Sequence, residues 1–201
     1  VEPYVSTVAR YTDNYILMLS GSKIFSYAGQ RIAVVCMSEA VYDRHYKFLE
    51  EFYEMPAFGD AYIYGVLYCS SSGTAHSAQY ALAAMMAAAV RGELNFVEHC
   101  SEYARKAAKA KDIFVRNGFH IVYDMDGDQP IADGFFFTAG YRDMTADELH
   151  KELLRYGVAS ISLYSAGSTR DGVRVCVSMI PDDMAFDKLE RFLSKFNEDH
   201  K

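Results

Sequence analysis

Hydrophobic and polar positions alternate between strand-like and helix-like spacing along the chain. Residues 14–19 (Asn-Tyr-Ile-Leu-Met-Leu) and 31–37 (Arg-Ile-Ala-Val-Val-Cys-Met) are short apolar runs on either side of a polar loop, and they predict two buried strands. After Ser38, a plausible N-cap, Tyr42, Tyr46, Leu49 and Tyr53 recur at intervals of three and four and predict an amphipathic helix. Residues 65–74 read as irregular, with Ser70–Thr74 a polar turn. A buried, alanine-rich helix follows from about Ala75 to Arg91, with Gly92 as its stop. A long amphipathic helix is predicted over Phe96–Arg116, ending at Asn117-Gly118. The last third predicts strands over 119–123, 134–140, 158–164 and 173–178. A helix there is opened by the capping box Thr145-Ala-Asp-Glu148. The final helix begins after Pro181 and carries Leu189, Phe192, Leu193 and Phe196 on one face. There is no internal repeat.

Composition narrows the function classes. With 201 residues and 51% hydrophobic content, the chain can bury a substantial core. A formal charge of −7 argues against a general nucleic-acid partner, while leaving room for a small anion held by a local donor cluster. No apolar run has the length of a membrane span, so no membrane partner is expected. Cys36, Cys69, Cys100 and Cys176 form no CxxC pair and read as reduced, buried thiols of a cytoplasmic protein. Asp124-Met-Asp126-Gly-Asp128 superficially resembles a calcium loop. Gln129, Pro130 and Phe135 stand at its sixth, seventh and twelfth positions, so a turn between two strands is the better reading. No histidine shows metal-ligand spacing, and no metal site is expected.

The run Ser20-Gly-Ser22-Lys23-Ile-Phe-Ser-Tyr-Ala-Gly-Gln-Arg31 carries the candidate chemistry. A lysine at the end of an apolar strand must be solvated, paired or used. Two hydroxyls before it and an arginine eight residues after it could converge on one phosphate. On spacing alone the plainer reading prevails, an ordinary polar loop with one surface lysine. The order Ser-x-Ser-Lys-x-Phe, then Gly, then Arg, followed by a β-branched strand, resembles the cofactor-lysine signature of class I/II aminotransferases. That resemblance implies that Lys23 binds pyridoxal 5'-phosphate covalently and serves as the catalytic residue. It implies that Ser20, Ser22 and Arg31 hold the cofactor phosphate.

Two further segments extend the resemblance. In Ser160–Ser178 it implies that Arg174, at a strand start, grips the substrate α-carboxylate, whereas Arg170 lies in a Gly/Ser turn and reads as solvated. A strand-edge salt bridge is the plain alternative for Arg174. Ser71-Ser-Gly-Thr-Ala-His76 resembles the loop that approaches the cofactor phosphate across the family's homodimer, which places Ser71 among the cofactor-binding residues. Leu67 stands where the aspartate-type branch has an arginine that reads a distal carboxylate.

The fold implied is α/β. Residues 1–92 would be the remainder of a large, mostly parallel-sheet cofactor domain, and 93–201 a linking helix with a small C-terminal α/β domain. The family's Asp partner of the pyridinium nitrogen and its neighbouring Tyr are expected upstream of this chain. The chain is thus read as a C-terminal portion, inactive alone, with exposed edges that favour association or partial disorder near its start. The implied reaction moves an amino group from an amino acid to a 2-oxo acid. Carbon–sulfur β-elimination or decarboxylation on the same scaffold, an aminotransferase-like sensing domain of a transcriptional regulator, and a folding and dimerisation unit are the alternatives, in that order.

Overall fold

The computed structural model describes residues 7–131 and 134–201, which fall into two compact units, Val1–Phe96 and Val97–Lys201. In the first unit, β1 (Ile16–Ser20) and β2 (Ala33–Met37) form an antiparallel pair in which Ser20 lies opposite Ala33. Single-turn α1 (Gly21–Ile24) lies between them. Ser38 caps α2 (Glu39–Tyr42) as its sequence predicts, its hydroxyl accepting from the Val41 N–H at 3.1 Å. The helix expected to continue from there breaks instead. Tyr46 N–H donates to Pro56 O at 2.9 Å, and a separate α3 begins (Lys47–Tyr53).

Residues 65–74, expected to be irregular, are largely helical. They follow α4 (Phe58–Asp60) in a π-helix (Ala61–Tyr68) and then α5 (Cys69–Ser71). The reason is local: the Ser70 and Ser71 hydroxyls bond back to Leu67 O at 3.2 and 2.6 Å, so these serines extend a helix rather than break it. Ser72, at φ +55°, ends the turn. Then α6 (His76–Val90) stops ahead of Gly92, as predicted. Its burial departs from expectation. Only Ala78 and Leu82 are buried, and Tyr80 is 79% and Val90 89% exposed. Apolar residues lie all round this helix, and a single face is covered by the small cluster of Ile32, Ala78 and Leu82.

The second unit is built on α7 (Phe96–Arg116), whose bounds match the sequence periodicity. An antiparallel sheet has the order β3-β6-β8-β7, with β3 (His120–Ile121), β6 (Phe136–Gly140), β8 (Val173–Cys176) and β7 (Ile161–Ser162). The acidic run at 124–128 forms a hairpin of β4 (Met125–Asp126) and β5 (Gln129–Pro130). Thr145 opens α8 (Ala146–Arg155) with the full capping box, and Asp182 caps α9 (Asp183–Asp199).

The helices cover one face of the sheet. Ala110, Ile113 and Phe114 of α7, Leu149 and Leu153 of α8, and Phe186, Leu193 and Phe196 of α9 pack on Phe137, Ala139, Val173 and Val175. Burying each large side chain contributes on the order of 1.5–3 kcal/mol. Strand alternation turns Phe136, Thr138, Arg174 and Cys176 to the opposite face.

Among the described residues the strands pair antiparallel throughout, so a mixed α/β architecture holds and the expected parallel sheet is not among them. The four cysteines, expected to be buried, are all exposed and free. Cys176 shows why: it occupies the outward position of an alternating strand whose valines fill the core. Among the described residues, no helix is long and apolar enough to cross a membrane. Expectations about the extreme start of the chain fall on residues 1–6, outside the described residues.

Candidate active site

The polar loop between β1 and β2 is folded tightly enough to hold its two ends together. Gly21 N–H donates to Ile32 O at 3.1 Å, and the N–H groups of Phe25 and Tyr27 converge on Gly21 O at 3.2 and 3.0 Å. A side chain at Gly21 would be tight: a Cβ would sit 3.2 Å from Ile32 O and 3.6 Å from Leu82 Cδ1. Phe25 and Tyr27 pack on the cluster of Ile32, Ala78 and Leu82. The loop's apolar side is therefore pinned to α6, while Ser22 stays half-buried and Lys23 exposed.

The strand-end position expected for Lys23 becomes a place in the single turn of α1, just after β1 ends. Ser20 is the residue before that turn, and its hydroxyl does not cap it. Among the described residues, the Ser20 and Ser22 hydroxyls make no hydrogen bond. Arg31 sits at the far end in the left-handed region, φ +51° and ψ +50°. One of its five N–H donors bonds to Ala28 O at 2.9 Å, and it pairs with no carboxylate among the described residues. In a chain of net charge −7, the stretch from Asn14 to Ser38 contains no Asp or Glu. Hairpin closure thus brings Ser20 and Arg31 to the two ends of one cationic loop.

Ser71 is differently placed. Its hydroxyl donates to Leu67 O at 2.6 Å and accepts from Gly73 N–H at 3.2 Å, so its donor is spent within its own turn.

In the second unit, Arg174 lies on β8 opposite Thr138 of β6 and Ile161 of β7. Its guanidinium carbon stands 4.4 Å from the centre of the Phe136 ring. No carboxylate pairs with it among the described residues, so the strand-edge salt bridge is not formed there.

Arg170, expected to be solvated, is exposed yet its guanidinium has two contacts. Its Nη1 donates to Val122 O at 3.0 Å, and its guanidinium carbon lies 4.8 Å from the Tyr123 ring centre. Sequence reasoning missed this anchoring because its partners are distant in sequence, Val122 lying 48 residues away, and act through a carbonyl and a ring face. Among the described residues, no group of three or more His, Cys, Asp or Glu side chains is placed to hold a metal ion.

The family model described as aminotransferase class I and II matches residues 1–190 of the chain. Comparison with curated proteins gives no match.

Proposed function

The chain belongs to the class I and II aminotransferase family, and from that premise we propose that it serves pyridoxal-phosphate-dependent transfer of an amino group from an amino acid to a 2-oxo acid. The family is generally dependent on this cofactor. The observation that carries the proposal is the closed loop from Ser20 to Arg31. It offers an exposed primary amine and, among the described residues, two hydroxyls that make no hydrogen bond and a guanidinium that pairs with no carboxylate. A phosphorylated aldehyde needs such a donor set: hydroxyls and a guanidinium for the dianion, and an amine for the carbonyl.

In this reading Ser20, Ser22 and Arg31 bind the phosphate and Lys23 is the covalent anchor. The bound cofactor supplies an electron sink for the substrate's Cα–H bond. Lys23 Nζ accepts the Cα proton and returns it, acting as base and then as acid. Arg174 holds the substrate α-carboxylate and so orients the bond that breaks. Ser71 joins the phosphate donors only if its bond to Leu67 O is released. Residues 1–92 then belong to the cofactor domain and 93–201 to the small domain, in a cytoplasmic homodimer. Association is supported by the aromatic surface of the first unit, where Phe48 and Phe52 stack on each other and are 66% and 70% exposed.

The test compares pyridoxal phosphate with pyridoxal, which lacks the phosphate, by equilibrium binding to the chain. Phosphate recognition predicts tighter binding of the former. Arg31→Ala should weaken it by about tenfold to a hundredfold, as expected for a lost charge-assisted hydrogen bond. Equal affinity for the two aldehydes contradicts the proposal.

A further inference from the structure

The sheet of the second unit opens into a groove beside Cys176. Val177 N–H donates to Phe135 O at 2.9 Å, and Phe136 lies opposite Cys176. That pattern makes Phe136 and Cys176 a non-hydrogen-bonded pair, so the Cys176 N–H and C=O point away from β6, toward the side that β7 occupies. On that side β7 pairs no further than Ile161, which lies opposite Arg174. Continued by two residues, the ladder would join Ala159 to Cys176. Among the described residues no hydrogen bond links them. The end of β8 is thus left with a donor and an acceptor that its neighbour does not use.

The two segments part around a cavity of about 330 Å³, which both Ala159 and Cys176 line. Its lining is mostly apolar. Val158 and Val175 belong at once to the groove and to the core. From α9 come Ala185, Lys188, Leu189 and Phe192, spaced i, i+3, i+4 and i+7 along one face. Phe186, Leu193 and Phe196 of the same helix fill the core, so α9 is apolar on two faces and one of them looks into the groove. The Phe192 ring lies against the Gly157 backbone, where a Cβ would stand 3.3 Å from the ring's Cε2.

Charge gives the groove a sign. Among the described residues, Lys188 is the one charged side chain that lines it, and it pairs with no carboxylate. In a chain of net charge −7, a lining with a cation and no acid favours an anionic occupant.

We propose that this groove takes the C-terminal end of an apolar peptide. The peptide backbone adds to β8 as a short strand and exchanges N–H···O bonds with Cys176, its apolar side chains enter the groove, and its carboxylate meets Lys188. A fatty carboxylate would match the walls and the lysine, but only a peptide also uses the donor and acceptor of Cys176. The inference stands apart from the cofactor chemistry and uses none of its residues.

The test is an NMR titration of the 201-residue chain with acetyl-Ala-Val-Val-Leu, with the same peptide carrying a C-terminal amide, and with hexanoate. The acid peptide should shift the Cys176 amide resonance and slow its hydrogen exchange. The amide peptide should bind wild type about tenfold more weakly, a charge-assisted contact's worth. Lys188→Gln should bring the two peptides close to equal affinity, and Lys188→Arg should keep them apart. Methylating the peptide nitrogen of the leucine, or that of the valine before it, should abolish binding in one case and spare it in the other, because alternate N–H groups of a strand face its partner.

Equal affinity of wild type for the acid and amide peptides overturns the assignment of the carboxylate to Lys188. Hexanoate binding as tightly as the acid peptide, or peptide binding that survives both methylations, overturns strand addition. A Cys176 amide that shifts with protein concentration alone places a second copy in the groove and overturns the peptide, as does a failure of wild type to bind it.

Discussion

The two units solve the burial problem differently. The second closes a core from three helices and one sheet face, with Phe114, Leu149, Leu153, Val173, Leu193 and Phe196 inaccessible to solvent. The first buries Ile32, Ala78 and Leu82 beneath its Ser20–Arg31 loop and leaves Phe48, Phe52, Tyr68, Tyr80 and Val90 more than half exposed. A unit that covers its own apolar surface needs no other partner for stability. One that exposes aromatic and aliphatic surface on several helices offers a surface suited to association and covers less of its own apolar area. The candidate cofactor residues therefore sit in the unit that covers less of its own apolar surface, and Arg174, the proposed carboxylate residue, in the one that covers more.

That contrast can be broken most directly in the cores. Phe196→Ala, in a fully enclosed aromatic cluster with Phe119, Tyr141 and Tyr156, should cost about 3–5 kcal/mol in urea unfolding followed by circular dichroism. Leu82→Ala, in the smaller cluster, should cost about 2 kcal/mol, the low end for such a change. Equal losses at the two sites would show the units to be equally well packed.

A second prediction concerns the exposed aromatics. The paired substitution of Phe48→Asp and Phe52→Asp should reduce self-association of the chain in sedimentation velocity, with little effect on stability. Unchanged sedimentation would remove that surface as an interface.

The second unit's own stability is open to finer tests. Thr145→Ala removes the side-chain half of the capping box and should cost about 1 kcal/mol. The Thr145 hydroxyl, followed by its backbone N–H, holds the Glu148 carboxyl below its ordinary value of 4.5. A depressed folded value means that ionised Glu148 favours the folded state. Its contribution is complete above that ordinary value and is lost as pH falls through the depressed one. Acid titration of the melting temperature should therefore show a weaker decline below pH 4.5 in Thr145→Ala than in wild type. Parallel curves would mean that the capping contact does not tune Glu148.

Sequence was most informative where an element carries its own boundary signals. The amphipathic period of Phe96–Arg116, the Thr145–Glu148 box and the Asp126-Gly127 turn each encode local geometry, and the structure has them. It was least informative where a segment is apolar all round. The pattern of His76–Val90 does not say which face is covered, and burial there depends on which neighbours are present. Cys36 and Cys176 were misjudged because strand membership does not reveal which alternate position faces out.

The candidate site divides in the same way. Ser20, Ser22, Lys23 and Arg31 lie within one short run, where spacing alone favours a plain polar loop and the family resemblance singles them out. The anchoring of Arg170 to Val122 and Tyr123 is a product of the tertiary fold and leaves no local trace.

The central claim is that Lys23 is the residue to which the cofactor binds. Incubating the chain with pyridoxal phosphate, fixing the adduct with borohydride and mapping it by peptide mass spectrometry tests this directly. The account predicts one preferentially labelled site, Lys23, with labelling sharply reduced by Arg31→Ala. Labelling spread evenly over the surface lysines, or unaffected by Arg31→Ala, would contradict it.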